Sequence, residues 1–209
     1  MNTTATSLQP VWREVLAASY RALENSVAGV RDDQWDNATP CSEWTVTQVI
    51  QHAAGDQLAY AKMLGVGDGP AYDPFSPSGA VDGSAAGLVK DAVEQTSAAW
   101  ATVSDGTETV ATPLPHGDLP TPVAAVMGAL DAAVHAWDIA IATGQPSPLD
   151  DELAGHLLAA AREIVEPLRQ WGAYAPVVEA AGTPSPTPVV DDLLRYLGRT
   201  PRHLPGGAV

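Results

Sequence analysis

Apolar residues recur with helical spacing along most of the chain, and the strict alternation typical of strands is nearly absent. This periodicity predicts five long helices, a short final helix, and an irregular or briefly extended crossover at residues 105–120. We place the helices at about Leu8–Val27, Thr45–Leu64, Ser84–Val103, Thr121–Thr143, Leu149–Trp171 and Val190–Leu197. The pattern favours an all-α protein, a four-helix bundle with an added helix and a short C-terminal appendage.

Local signals mark the ends and connections of these helices. Thr45 and Gln48 have the spacing of a capping box, and Gly144 stands where a C-cap glycine is expected. The connection at 66–82 is long, and its two aromatic residues, Tyr72 and Phe75, lead us to expect a mobile loop near the open end of a site. We treat residues 1–209 as a single domain with a Pro/Gly-rich extension from about residue 173.

Composition and charge narrow the class of protein. The chain has 209 residues, of which 45% are hydrophobic, so it can bury a core, and one cysteine excludes a disulfide framework. The formal net charge of −15 argues against binding to nucleic acid or to an anionic membrane. The first residues lack a signal-peptide pattern, and we expect no membrane-spanning stretch, so a cytoplasmic location is predicted.

The fourth predicted helix, at 121–143, carries a narrow polar stripe on an otherwise apolar surface. Its ionisable residues are Asp131, His135 and Asp138, and at about 100° per residue they share one sector of the helix. Asp131 and His135 are one turn apart, a spacing that can chelate one divalent metal. The same stripe also fits a solvent-facing surface, or a core histidine that hydrogen-bonds to a carboxylate.

The second predicted helix offers a third ligand. His52 lies at the edge of the apolar stripe of this helix, with Asp56 one turn later. His52, Asp131 and His135 together would supply two imidazoles and one carboxylate and leave coordination positions open, as in a catalytic zinc site. Asp56 and Asp138 are then expected in the outer shell, where Asp138 either orients a ligand imidazole or pairs with an arginine.

Several short segments of the sequence resemble a known family. The segments TPCSEWTV at 39–46, His52, DAAVHAWDIA at 131–140 and ATGQ at 142–145 resemble the metal-binding domain of the mycothiol-dependent maleylpyruvate isomerase group, within the DinB-like four-helix superfamily. The segment LLRYLGRTP at 193–201 resembles the end of a largely uncharacterised actinobacterial branch of that superfamily. The resemblance spans roughly residues 8–201.

The resemblance implies a metal held by His52, Asp131 and His135. The implied metal is zinc or another divalent first-row ion, and the implied partner is a low-molecular-weight thiol such as mycothiol. The isomerase has glutamate where this chain has Asp131, and it carries a separate C-terminal domain where about 65 residues follow the fourth helix here. Because of these two differences, the resemblance supports the family and the metal site, and it supports maleylpyruvate isomerisation as the reaction less strongly.

Three functional hypotheses follow. The first is an enzyme that activates a thiol for addition or transfer to an electrophilic small molecule, in the manner of a transferase or isomerase. The second is a metal-dependent hydrolase that activates water, and the third is a non-catalytic bundle that binds a metal or a small ligand. Alanine-rich helical faces are also compatible with a homodimer.

Overall fold

The computed structural model describes residues 3–41, 43–180 and 185–202. Over these residues the secondary structure consists of seven helices and two strands of two residues each. In chain order the elements are α1 (Thr3–Leu8), α2 (Trp12–Ala28), α3 (Val46–Met63), α4 (Ala85–Ala101), β1 (Thr109–Val110), β2 (Leu119–Pro120), α5 (Thr121–Thr143), α6 (Asp151–Gln170) and α7 (Pro188–Tyr196).

Helices α2, α3, α4 and α5 form the four-helix bundle. Each of them packs against two others, with α2 and α3 each lying against both α4 and α5. Helix α6 packs on α5 and carries α7, while the antiparallel pair β1–β2 connects α4 to α5. The prediction of an all-α, DinB-like bundle with an added helix and a C-terminal appendage is confirmed.

Helix α5 forms the centre of the bundle, and 20 of its 23 residues are buried. Its many alanines let neighbouring helices approach closely. His135 and Asp138 lie inside the protein and not on its surface. By length and composition α5 could cross a membrane, which corrects our expectation that no stretch is apolar enough. Because 89% of its most apolar 18-residue window is buried, α5 has the character of a core helix.

The predicted end signals of α3 and α5 are present. The Thr45 side chain accepts a hydrogen bond from the Gln48 amide, and the Gln48 side chain accepts one from the Thr45 amide at 3.0 Å. Gly144 ends α5 in the left-handed conformation, with φ of 73°. These caps fix the two helices that carry the predicted ligands.

The predicted start of the first long helix, at Leu8, is wrong, because this helix, α2, begins at Trp12. A separate helix, α1, precedes it, and the chain turns between Leu8 and Trp12 because Pro10 lacks an amide hydrogen and disfavours a helical residue before it. The last helix begins two residues earlier than predicted, with Pro188 in its first turn. Residues 181–184 and 203–209, which include part of the proline-rich connection and the tail, lie outside the described residues.

Candidate metal centre

The three side chains predicted as ligands lie together between α3 and α5. The Nε2 atom of His52 is 3.2 Å from Asp131 Oδ1, and the Nε2 atom of His135 is 3.4 Å from the same oxygen. One donor atom from each residue lies within 4.8 Å of the others. Residues that are 79 positions apart in the chain therefore converge on one point, and that they bind a metal stays a prediction.

Each imidazole is held from its far side by a hydrogen-bond acceptor. The Nδ1–H of His52 donates to the carbonyl oxygen of Pro74 at 2.9 Å, and the Nδ1–H of His135 donates to Asp138 Oδ2 at 3.0 Å. Because neither acceptor has a proton to give, these bonds place the proton on Nδ1 and turn both Nε2 atoms toward Asp131. This is the outer-shell arrangement that orients metal-ligating histidines.

The donor set fits a divalent metal. The Oδ2 atom of Asp131 is buried and has no hydrogen-bond partner among the described residues. A buried carboxylate oxygen without a partner is costly, and a cation is the ligand that satisfies it best. Two imidazole nitrogens and one carboxylate, with positions left open, match a catalytic zinc centre more closely than a closed structural one.

The ionisable groups of the cluster shift one another's pKa values. Burial raises the pKa of Asp131, but the two histidines outweigh that effect and hold its pKa well below the usual range. Burial lowers the pKa of His135, but the charge of Asp131 and hydrogen bonds to Asp131 and Asp138 outweigh it and raise the pKa to about 10. In the metal-free protein His135 is therefore protonated at neutral pH.

This raised pKa makes stability depend on pH in a definite direction. His135 titrates near 6.5 when unfolded and near 10 when folded, so its contribution is complete below about pH 6.5 and is lost as the pH rises toward 10. We expect the difference in unfolding free energy between the metal-free wild type and His135→Gln to shrink over that range. Urea unfolding in the presence of a chelator measures it, and a difference independent of pH would contradict the assignment.

Aromatic side chains surround the histidines. The Trp44 ring lies 4.7 Å from the His52 ring and 6.5 Å from the His135 ring, centroid to centroid. The Phe75 ring lies 5.4 Å from the His52 ring, centroid to centroid, and Phe75 is 67% exposed. Cys41 is half-buried, and burial raises the pKa of its thiol, so it is a neutral group near the cluster. The rim of the site is therefore largely apolar.

The loop at 66–82 lies against the site, as the sequence predicts. Besides the bond from His52 to Pro74, the Gln51 side chain donates to the Ala80 carbonyl at 2.7 Å and accepts from the Gly79 amide at 2.7 Å. The Tyr72 hydroxyl donates to the Gln51 carbonyl at 2.8 Å. These bonds pin the loop to α3, and its predicted mobility stays a prediction.

Gly55 on α3 lets the loop approach this closely. A Cβ atom there would lie 2.8 Å from Pro74 Cγ, so we expect Gly55→Ala to displace the loop although alanine favours a helix. The Gly79 amide should then exchange its hydrogen about tenfold faster, the effect of losing roughly 1.4 kcal/mol of local stability. The control is Gly155→Ala on α6, where the new Cβ meets only Val189 at 3.9 Å. Equal exchange rates in both variants would contradict the role of Gly55.

The two predicted outer-shell carboxylates differ. Asp138 accepts a hydrogen bond from His135 and also pairs with Arg199, so it makes both of the contacts that the sequence offered as alternatives. That it orients a metal ligand stays a prediction. Asp56 forms no hydrogen bond with the three predicted ligands in the described part of the chain. Burial raises the pKa of Asp56 well above its usual value, and the Asp131 carboxylate raises it further, so the neutral form of Asp56 is favoured beside the cluster.

Sequence reasoning missed several residues of this centre. Pro74 and Arg199 hold the histidines, directly or through Asp138, and the Trp44 ring lies beside them. Trp44 and Arg199 lie in segments that carry the resemblance, at 39–46 and 193–201, but the sequence does not indicate their roles in the site. Pro74 acts through its backbone carbonyl, which leaves no signal in the residue type.

Comparisons with known proteins identify relatives of this chain. The family model described as the mycothiol maleylpyruvate isomerase N-terminal domain matches residues 16–140. An uncharacterized protein of Mycobacterium tuberculosis strain CDC 1551 / Oshkosh, and another of strain ATCC 25618 / H37Rv, are each 37% identical to this chain over 179 residues, 84% of this chain and 91% of the relative.

A solved structure is also similar. It is the crystal structure of a mutant of the mycothiol-dependent maleylpyruvate isomerase, which matches with a TM-score of 0.55 and 16% sequence identity over 85% of this chain and 77% of that chain. At this identity the likeness shows the fold alone. Since the family model covers more than half of the chain and the mycobacterial relatives exceed 30% identity, the chain belongs to the mycothiol maleylpyruvate isomerase N-terminal domain family.

Proposed function

We propose that this protein is a metal-dependent enzyme that activates a low-molecular-weight thiol for addition or transfer to an electrophilic small molecule. The observation that carries the proposal is the convergence of His52, Asp131 and His135, with a buried carboxylate oxygen that has no partner in the described part of the chain. The family adds the thiol, because both the family model and the similar solved structure are named for mycothiol.

Different residues would hold the metal and orient its ligands. His52, Asp131 and His135 would hold the metal, while Pro74 and Asp138 keep the two imidazole rings in place through Nδ1. A divalent metal bound there supplies Lewis acidity that favours the thiolate form of a thiol. Zinc is the metal that this donor set suits best.

The aromatic side chains beside the histidines offer an apolar surface at the site. The Trp44 ring lies beside both histidine rings, and the Phe75 ring lies beside that of His52. With Phe75 mostly exposed, its ring offers a surface for an apolar part of a substrate. The thiol hypothesis ranks above the hydrolase because the family model and the similar solved structure are both named for mycothiol.

Elemental analysis of the purified protein, followed by turnover assays on a panel of electrophiles, tests the proposal. We expect about one divalent metal per chain and turnover that needs both the metal and an added thiol. Turnover without thiol would replace the proposal with a metal-dependent hydrolase. Stoichiometric metal without any turnover would reduce it to a binding protein, and absence of metal after repletion would refute the metal site.

A further inference from the structure

A buried ion pair connects the C-terminal segment to the candidate metal centre. The Nε atom of Arg199 lies 2.9 Å from Asp138 Oδ1, and its Nη2 atom lies 2.7 Å from Asp138 Oδ2. The Asp138 side chain is fully buried, and the Arg199 side chain is 10% exposed. Asp138 Oδ2 also accepts the hydrogen bond of His135, so an unbroken series of contacts runs from Arg199 to the Nε2 atom that faces Asp131.

The end of α7 fixes the backbone from which Arg199 reaches inward. Gly198 follows the helix in the left-handed conformation, with φ of 81°, and the Arg199 amide donates to the Leu194 carbonyl at 2.8 Å. Only glycine fits at 198, because a Cβ there would lie 2.6 Å from the Cβ of Ala175. The position of the guanidinium is thus set by a helix cap rather than by a loose tail.

The pairing matters because Asp138 has no access to solvent. A buried carboxylate that loses its cation is strongly destabilised and must either take up a proton or move. Arg199 presents two donors in a rigid fork, which fixes the plane of the carboxylate as well as its charge. The orientation of the His135 ring then follows from the orientation of the carboxylate.

We propose that Arg199 is a positioning residue of the metal centre: it fixes the Asp138 carboxylate, which fixes the ring of His135, so that the C-terminal segment completes the site. The match to the family model ends at residue 140 and does not include Arg199. The inference rests on the proposed metal-binding function, and its test separates the two.

Metal affinity of matched variants tests the inference, with Zn²⁺ as the probe in competition with a chelator. We expect Arg199→Met to weaken Zn²⁺ binding by about 10- to 100-fold, the effect typical of outer-shell changes, and Arg199→Lys to fall between Arg199→Met and wild type. The control is Arg169→Met. Arg169 also ties α6 to α7, donating to the Tyr196 carbonyl at 2.7 Å, but it does not contact Asp138.

A spectroscopic readout distinguishes positioning from simple docking of α7. With Co²⁺ in place of zinc, the visible absorption bands should change in Arg199→Met and stay as in the wild type in Arg169→Met, provided that circular dichroism shows both variants folded. Equal loss of affinity in the two variants would overturn the inference in favour of a purely structural role. Wild-type affinity in Arg199→Met would overturn it as well.

The metal-free protein allows the positioning by Arg199 to be tested even if the protein binds no metal. NMR of the histidine ring protons should show the Nδ1 proton of His135 protected from exchange with water in the wild type and in Arg169→Met, and exchanging rapidly in Arg199→Met. If the wild type binds no metal but this pattern holds, the metal function fails while the positioning by Arg199 stands. Protection in Arg199→Met would refute the positioning itself.

Discussion

His135→Ala is expected to abolish stoichiometric binding of a divalent metal while leaving the helical bundle folded. The change removes one of the two imidazole donors whose Nε2 atoms converge on Asp131. Apart from His52 and His135, no histidine of the described chain belongs to the cluster, so none can replace the lost donor. We expect affinity to fall by more than about 100-fold, beyond the range of outer-shell changes. Alanine is the best helix former, so α5 should keep its length.

A matched variant separates the cluster from a general effect of losing a histidine. His156 lies on α6 and does not belong to the cluster, so His156→Ala should bind metal as the wild type does. Zinc content after dialysis and isothermal titration calorimetry measure both variants, and circular dichroism at 222 nm monitors the fold. If His135→Ala and His156→Ala retain equal metal, the cluster is a hydrogen-bonded core and not a metal centre.

Much of the architecture follows from short-range sequence signals. The boundaries of α5 are as predicted, because proline near its start and Gly144 at its end are strong local signals. The burial of α5 also follows from the sequence, since a helix that is apolar nearly all round is normally buried. The sequence left open whether its polar stripe faces solvent, and the structure places His135 and Asp138 inside the protein. The break before Trp12 was missed because the apolar spacing continues across Pro10.

The candidate site was harder to predict because its members come from distant parts of the chain. His52 was visible as a histidine at the edge of an apolar stripe, but only the packing of α3 on α5 brings it to Asp131. Arg199 reaches Asp138 across 61 positions, and no periodicity encodes such a pairing. The Pro74 carbonyl depends on the course of a loop, which helical patterns do not describe.

Asp131→Asn is expected to weaken metal binding by more than about 100-fold, because it removes the only anionic member of the predicted ligand set. Asp131 Oδ1 lies against both imidazoles and Oδ2 has no partner within the described chain, so an amide would place a nitrogen that cannot ligate at one of these two positions. Asp131→Glu keeps the charge and adds one methylene. Since the isomerase group that this chain resembles has glutamate at this position, we expect Asp131→Glu to lose less than about tenfold in metal affinity.

The same variants report on the cluster without any metal. The charge of Asp131 is the largest effect that raises the pKa of His135, against the lowering effect of burial. In metal-free Asp131→Asn the pKa of His135 should therefore fall well below about 10, whereas in Asp131→Glu it should stay raised. NMR titration of the histidine rings measures this. If Asp131→Asn lowers the pKa of His135 but binds zinc like the wild type, the two groups are neighbours in an electrostatic cluster, and Asp131 is not a ligand.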